Sequence, residues 1–257
     1  MLKELFEKQR LLITAGAVSL LGAVVMVGLM LFDSTQVLGI NRWIKPLKFF
    51  ISIGIFVWTA AVYVNFLKGY ETASRRISWG MIAIFSIEMF IIVLQAGRGT
   101  TSHFNNSTPL DGILFAIMGL AIVANTILIS YLLYAYFTAE IDLPKAILWG
   151  MRLGLIVFLL GSIEGGYMSA VLRHSVGVED GGAGLPLVNW STEGGDLRVA
   201  HFFGMHAFQA VPIFAYLLGK FKLNSSTALT FAFAGGYFAI FTFLFVQALF
   251  GKPFLGF

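Results

Sequence analysis

The chain has 257 residues, of which 58% are hydrophobic and 12% charged, and its mean hydropathy is +0.85. An ordinary soluble domain carries about 25% charged residues, so disordered, fibrous and nucleic-acid-binding classes are excluded, and the net charge of +4 reads as loop charge at a membrane surface. With no cysteine there are no disulfides, iron–sulfur clusters, thiolate zinc sites or cysteine nucleophiles.

A bilayer core about 30 Å thick is crossed by about 20 apolar residues in a helix. Seven runs meet that requirement, at 11–32, 47–67, 77–97, 112–137, 147–172, 199–219 and 226–250. The sequence therefore predicts an all-α, polytopic, seven-helix membrane protein forming one domain over 1–257, with membrane lipid around it and no nucleic-acid partner. The first run, Leu11 to Phe32, contains no charge and follows Glu4 and Glu7, so it reads as a retained helix and not a signal peptide. Of the 17 Lys and Arg, ten fall on the side of the N-terminus and seven on the other. That bias predicts a cytoplasmic N-terminus and an external C-terminus in the inner (cytoplasmic) membrane.

Chemistry-bearing residues gather toward the external side. The second span opens with RWIKPLKF at 42–49, and Lys48 and Ser52 form an i, i+4 stripe. The third holds Glu88 near its middle, about 15 Å from its outer end, with Gln95 and Arg98 following on the same face. A carboxylate at that depth faces the bundle interior. Ser102, His103 and Asn105 come next, then Asp111 opens the fourth span. Adjacent residues normally point apart, so Ser102 and His103 are not expected to touch. Asn105 and Asn189 fit the glycosylation pattern.

Glu164 lies well inside the fifth span. The segment 175–198 is longer than most compact connections and has the character of a lid or binding loop; Leu185, Leu187 and Trp190 indicate that it packs. Asp196 is placed to cap the sixth span. His201 and His206 on that span are five apart, about 140° around the helix. They cannot serve one metal as an i, i+4 pair does, unless Gly204 or Pro212 bends the helix. Gln209 sits one turn beyond His206. All four histidines, His174 included, fall on the external side, which predicts one periplasm-facing pocket built from Arg98, His103, His201 and His206 under the long loop.

The strings RGTTSHFN at 98–105 and GDLRVAHFFGMHAFQ at 195–209, with RWIKPLKF, resemble an uncharacterised bacterial seven-helix membrane family marked by RGxxSHFN and GDLRxxHFxGxHxxQ. That resemblance covers most of the chain. A weaker likeness is to metal-dependent hydrolases of the alkaline ceramidase and adiponectin receptor type. It implies roles for Ser102, His103, Asp111, His201 and His206, although here the Ser–His spacing and the histidine pair depart from that pattern.

Three functions follow as expectations. The first is a metal-dependent hydrolase of a lipid-like substrate. A divalent metal such as zinc, held by His103, His201 and His206, would activate water. Asp111, Glu88 and Ser102 would be its catalytic groups, and Arg98, Arg198, Lys48 and Gln209 would hold the ligand. The second is a transporter or sensor for a small anionic ligand, with Glu88 and Glu164 carrying protons and 175–198 as a gate. The third is a b-type haem protein with paired axial histidines, in which Gly97, Gly161, Gly165 and Gly204 make room for the macrocycle. A retinal pigment is disfavoured because the last span holds no interior lysine.

Overall fold

The computed structural model describes residues 2–223 and 225–256, with side chains from residue 5 onward. Among these residues it contains eight helices: α1 (Leu2–Lys8), α2 (Arg10–Phe32), α3 (Ile44–Asn65), α4 (Glu71–Gly97), α5 (Pro109–Thr138), α6 (Lys145–Val171), α7 (Leu197–Lys220) and α8 (Ser226–Leu249). Seven of them, α2 to α8, are long and apolar enough to cross a membrane. The chain is an integral, multi-pass membrane protein. Large apolar side chains such as Val24, Phe90, Leu120, Ile163 and Phe243 stand exposed on the outer faces, as lipid contact requires. The helices extend the predicted spans by up to six residues at their starts, because polar first turns such as Glu71–Arg76 continue them beyond the apolar run.

The chain divides into two compact units, Met1–Ala135 and Tyr136–Phe257, with the division inside α5. Helices in lipid gain little from hydrophobic burial against one another and are held by close packing and hydrogen bonds. In the first unit α2 lays small residues on the rings of α3. A Cβ on Gly16 would stand 2.3 Å from the Trp58 ring, and one on Gly22 2.5 Å from Phe50. The Trp58 indole donates to the Ile13 carbonyl, and Ser19 donates to Phe50 O.

The α2–α3 connection is a short hairpin, β1 (Gln36–Val37) with β2 (Ile40–Asn41), turning at Leu38–Gly39. Asp33 is its hub. It accepts from the Thr35 amide, the Arg42 guanidinium and the Trp43 indole. Hydrogen bonding from Thr35 first, then from Trp43 and Arg42, holds its carboxyl well below the usual carboxylate range. Arg42 also donates to Gly97 O, tying this hairpin to the end of α4.

In the second unit a stripe of glycines on α6 receives α7. A Cβ on Gly161 would lie 2.9 Å from the Gly204 Cα, one on Gly165 2.6 Å from the His201 ring, and one on Gly150 2.8 Å from Ala215. Gly204 thus serves close backbone approach. α7 runs through both Gly204 and Pro212 as one continuous helix. Arg152, two turns into α6, donates twice to the Tyr136 carbonyl and lies over the Phe137 and Trp149 rings.

Candidate functional site

Residues of the expected pocket fall in different units. Lys48, Glu88, Arg98, Ser102, His103 and Asp111 belong to the first; Glu164, Arg198, His201, His206 and Gln209 belong to the second.

In the first unit Asp111 organises the α4–α5 connection. Thr108, Pro109 and Asp111 are the N-cap, N1 and N3 of α5, a local pattern that stabilises a helix start. The Thr108 hydroxyl donates to Asp111 Oδ2 at 2.6 Å and accepts from the Asp111 amide. Oδ1 accepts from Gln95 at 2.9 Å and from Arg98 at 2.6 Å, and Arg98 donates as well to Gln95 Oε1. Both oxygens of this buried acid are satisfied, and its charge is met by a guanidinium. Gly99, at φ +73°, lets the chain leave α4 and brings the Thr100 amide back to Gln95 O, a common helix ending. Asn105 is buried, donates to Thr100 and Thr101, and accepts from Ser107, so it is closed to a glycan.

Ser102 and His103 do touch, contrary to expectation. Ser102 Oγ lies 3.1 Å from His103 Nδ1. The expectation assumed regular backbone, whereas this segment is a series of bends that ends on Phe104 at φ +57°. The half-buried imidazole packs against the rings of Phe49, Phe104 and Phe115. Lys48 is half-buried on α3, and Ser52 one turn later donates to Phe49 O. Glu88 is 1% exposed, as its depth required, with Lys45 acting on it electrostatically. Its Oε1 has no hydrogen-bond partner among the described residues.

The second unit holds the long connection and a buried acid–imidazole pair. The connection packs as expected. β3 (Ser175–Val176) pairs with β4 (Gly195–Asp196), and Gly184 bridges Ser191. Asp180 accepts the amides of His174 and Ser175, and the His174 ring lies 3.2 Å from Asp180 and 3.9 Å from Asp196. Trp190 rests on Phe202 and Phe254. Gly195 leaves no space for a side chain, since a Cβ there would meet the Ala248 carbonyl.

Asp196 caps α7 through the Arg198 amide, as predicted. It also takes the Arg198 guanidinium and the Ser191 amide, and Arg198 reaches on to the Asn189 carbonyl. Burial alone would raise the Asp196 carboxyl. The Arg198 hydrogen bonds and charge, the Ser191 amide and His174 together outweigh it and hold the acid below its usual range.

One turn further into α7, His201 Nδ1 lies 3.1 Å from Glu164 Oε2 and 3.0 Å from Gly161 O. A carbonyl oxygen only accepts, so Nδ1 carries the proton and donates to both. The Glu164 side chain is 3% exposed and that of His201 32%. Glu164 Oε1 has no partner among the described residues. His206 is engaged locally: its Nδ1 donates to Phe202 O at 2.7 Å, and its ring lies 3.9 Å from the Phe202 ring. Gln209 follows one turn on, half-buried.

Among the described residues no three His, Asp or Glu side chains converge as a metal site requires. His201 meets one carboxylate, His103 packs beside aromatic rings, and His206 is bonded to its own helix. Sequence reasoning pointed to Glu164 as a buried acid but did not join it to His201, and it passed over Asp33 and Asp180 because neither sits in a recognisable motif. Comparison with known protein families, curated proteins and solved structures finds no match for this chain.

Proposed function

We propose that this membrane protein is a proton-linked transporter or sensor, with Glu164 and His201 as the group that takes up the proton. The observation that carries this reading is the state of Glu164. It is buried in a helix long enough to span the membrane, with one oxygen on an imidazole and the other without a partner among the described residues. An acid in that setting costs about 2.5–3.5 kcal/mol even on lenient insertion scales. Intramembrane acids and imidazoles in contact are the usual parts of proton relays.

The atoms allow a simple exchange. A proton arriving at Nε2 of the half-exposed His201 ring turns it into an imidazolium, whose charge is met by Glu164. The Nδ1 proton then passes to Glu164 Oε2, leaving a neutral ring protonated on Nε2 and a neutral buried acid. Gly165 gives the ring room to lie against α6, and the Gly161 carbonyl fixes the starting tautomer.

An anion field is less well supported as the driving element. Arg42 is paired with Asp33, Arg98 with Asp111, and Arg198 with Asp196, so each guanidinium already meets a carboxylate. The test is proton movement into proteoliposomes under an imposed pH gradient, read by an enclosed pH dye, together with proton uptake by the protein in nanodiscs. Glu164→Gln and His201→Phe are expected to abolish uptake while the protein stays folded. Flux alongside uptake marks a transporter, and uptake alone a sensor. Wild-type uptake in Glu164→Gln would overturn the reading, as would stoichiometric zinc or a haem absorption band in the purified protein.

A further inference from the structure

We infer that the C-terminal end of α8 is a binding site for an acidic phospholipid, taking one acyl chain in a groove and the headgroup phosphate at Lys252. The groove starts with how α8 ends. Gly251 adopts φ +69°, its amide donates to Ala248 O at 2.9 Å, and the Lys252 amide donates to Gln247 O at 3.1 Å. These two bonds form the reversal that a glycine after a helix makes. They turn the chain back on itself, and Gln247 Nε2 holds it there by donating to Pro253 O at 2.7 Å.

The returning segment and the helix line an open groove of about 590 Å³. Its walls are apolar, with Phe243, Val246 and Phe250 on one side and Pro253 on the other. Phe243 and Phe250 are among the more exposed large apolar side chains of the protein, on a helix that spans a membrane. The surroundings of this wall are therefore lipid.

Lys252 lines the groove just beyond the last turn of α8, and the end of a spanning helix is where headgroups are met. No acidic side chain pairs with it among the described residues. Asp196 lines the adjoining small cavity with Lys252 but is committed to Arg198. An apolar slot ending in an ammonium that no acidic side chain of the described residues neutralises matches one acyl chain ending in a phosphate. The charge selects acidic over zwitterionic lipid, and the slot selects an intact lipid over a soluble phosphate. The site is independent of the Glu164–His201 pair and stands whether or not that pair moves protons.

The test uses the full chain in nanodiscs of mixed phosphatidylglycerol and phosphatidylcholine, with the lipid retained after detergent extraction counted by native mass spectrometry. A preference for phosphatidylglycerol of about fivefold is expected, the worth of one basic residue at a charged membrane surface. Lys252→Gln should abolish that preference and Lys252→Arg keep it. Val246→Trp, which fills the groove, should lower retention of both lipids. Glycerol phosphate without acyl chains should not displace the bound lipid. Equal retention of the two lipids by the wild type would overturn the site, and so would an undiminished preference in Lys252→Gln.

Discussion

Asp111 in the first unit and Glu164 in the second are both buried acids beside a basic partner, yet their surroundings differ in kind. Asp111 has each oxygen satisfied, by Thr108 on one side and by Gln95 and Arg98 on the other. Glu164 has one oxygen on His201 and one with no partner among the described residues. A fully satisfied polar network fixes structure, whereas a partly satisfied one carries a free-energy cost that packing does not explain. Asp111 therefore reads as a fastener of the α4–α5 connection, and Glu164 as a group whose charge changes in use.

The largest expected effect lies in the frame that brings His201 to Glu164. Gly204→Leu places a side chain where even a Cβ stands 2.7 Å from the Gly161 Cα. Ordinary overpacking costs about 1–3 kcal/mol, and a clash against backbone should exceed that. Thermal unfolding in detergent checks it, and an unchanged midpoint would mean that α6 and α7 are not held by glycine contact. Next comes Asp111→Asn, which weakens the cap and leaves Arg98 without its counter-charge. A loss of about 1–3 kcal/mol is expected, with proton uptake intact. Glu164→Gln should do the reverse, sparing stability and removing uptake. If both variants lost stability and kept uptake, the contrast between the two acids would collapse.

A smaller effect concerns pH. The Asp196 carboxyl is lower in the folded protein than in the unfolded chain. Its contribution is thus fully present above the ordinary carboxylate range and fades as pH falls through the folded value. Unfolding midpoints should decline on acidification, and Asp196→Asn should flatten that decline. A wild-type acid limb as steep in Asp196→Asn would assign it to other carboxylates. The smallest effect is expected for Ser102→Ala, which removes one hydrogen bond worth about 1 kcal/mol. Labelling of Ser102 by a serine-directed phosphonate would instead point to a nucleophile.

Features governed by local rules were legible in the sequence. The seven spans follow from run length, and Asp196 and the Thr108–Asp111 start follow from capping chemistry. Glu88 and Glu164 were legible as buried acids because charge in so apolar a run has one place to go. The partner of Glu164 was not, since 37 residues separate it from His201 and periodicity within one helix says nothing of its neighbour. The glycines carried an ambiguous signal: Gly161, Gly165 and Gly204 suit a macrocycle as well as a neighbouring backbone, and the structure uses them for the backbone and the His201 ring. Four histidines assigned to one side suggested a cluster; His103 lies in the first unit, and His174, His201 and His206 lie in the second. The reversal after α8 was not read from the sequence, since it depends on Gln247 reaching Pro253.

The most direct measurement is an infrared difference spectrum of the purified protein in nanodiscs between neutral and acidic pH. Wild type should gain the carbonyl band of a newly protonated carboxylic acid, shifted in deuterium oxide, and Glu164→Gln should lose that band while Glu88→Gln and Asp111→Asn retain it. An identical band in wild type and Glu164→Gln would contradict the assignment of the proton to this acid.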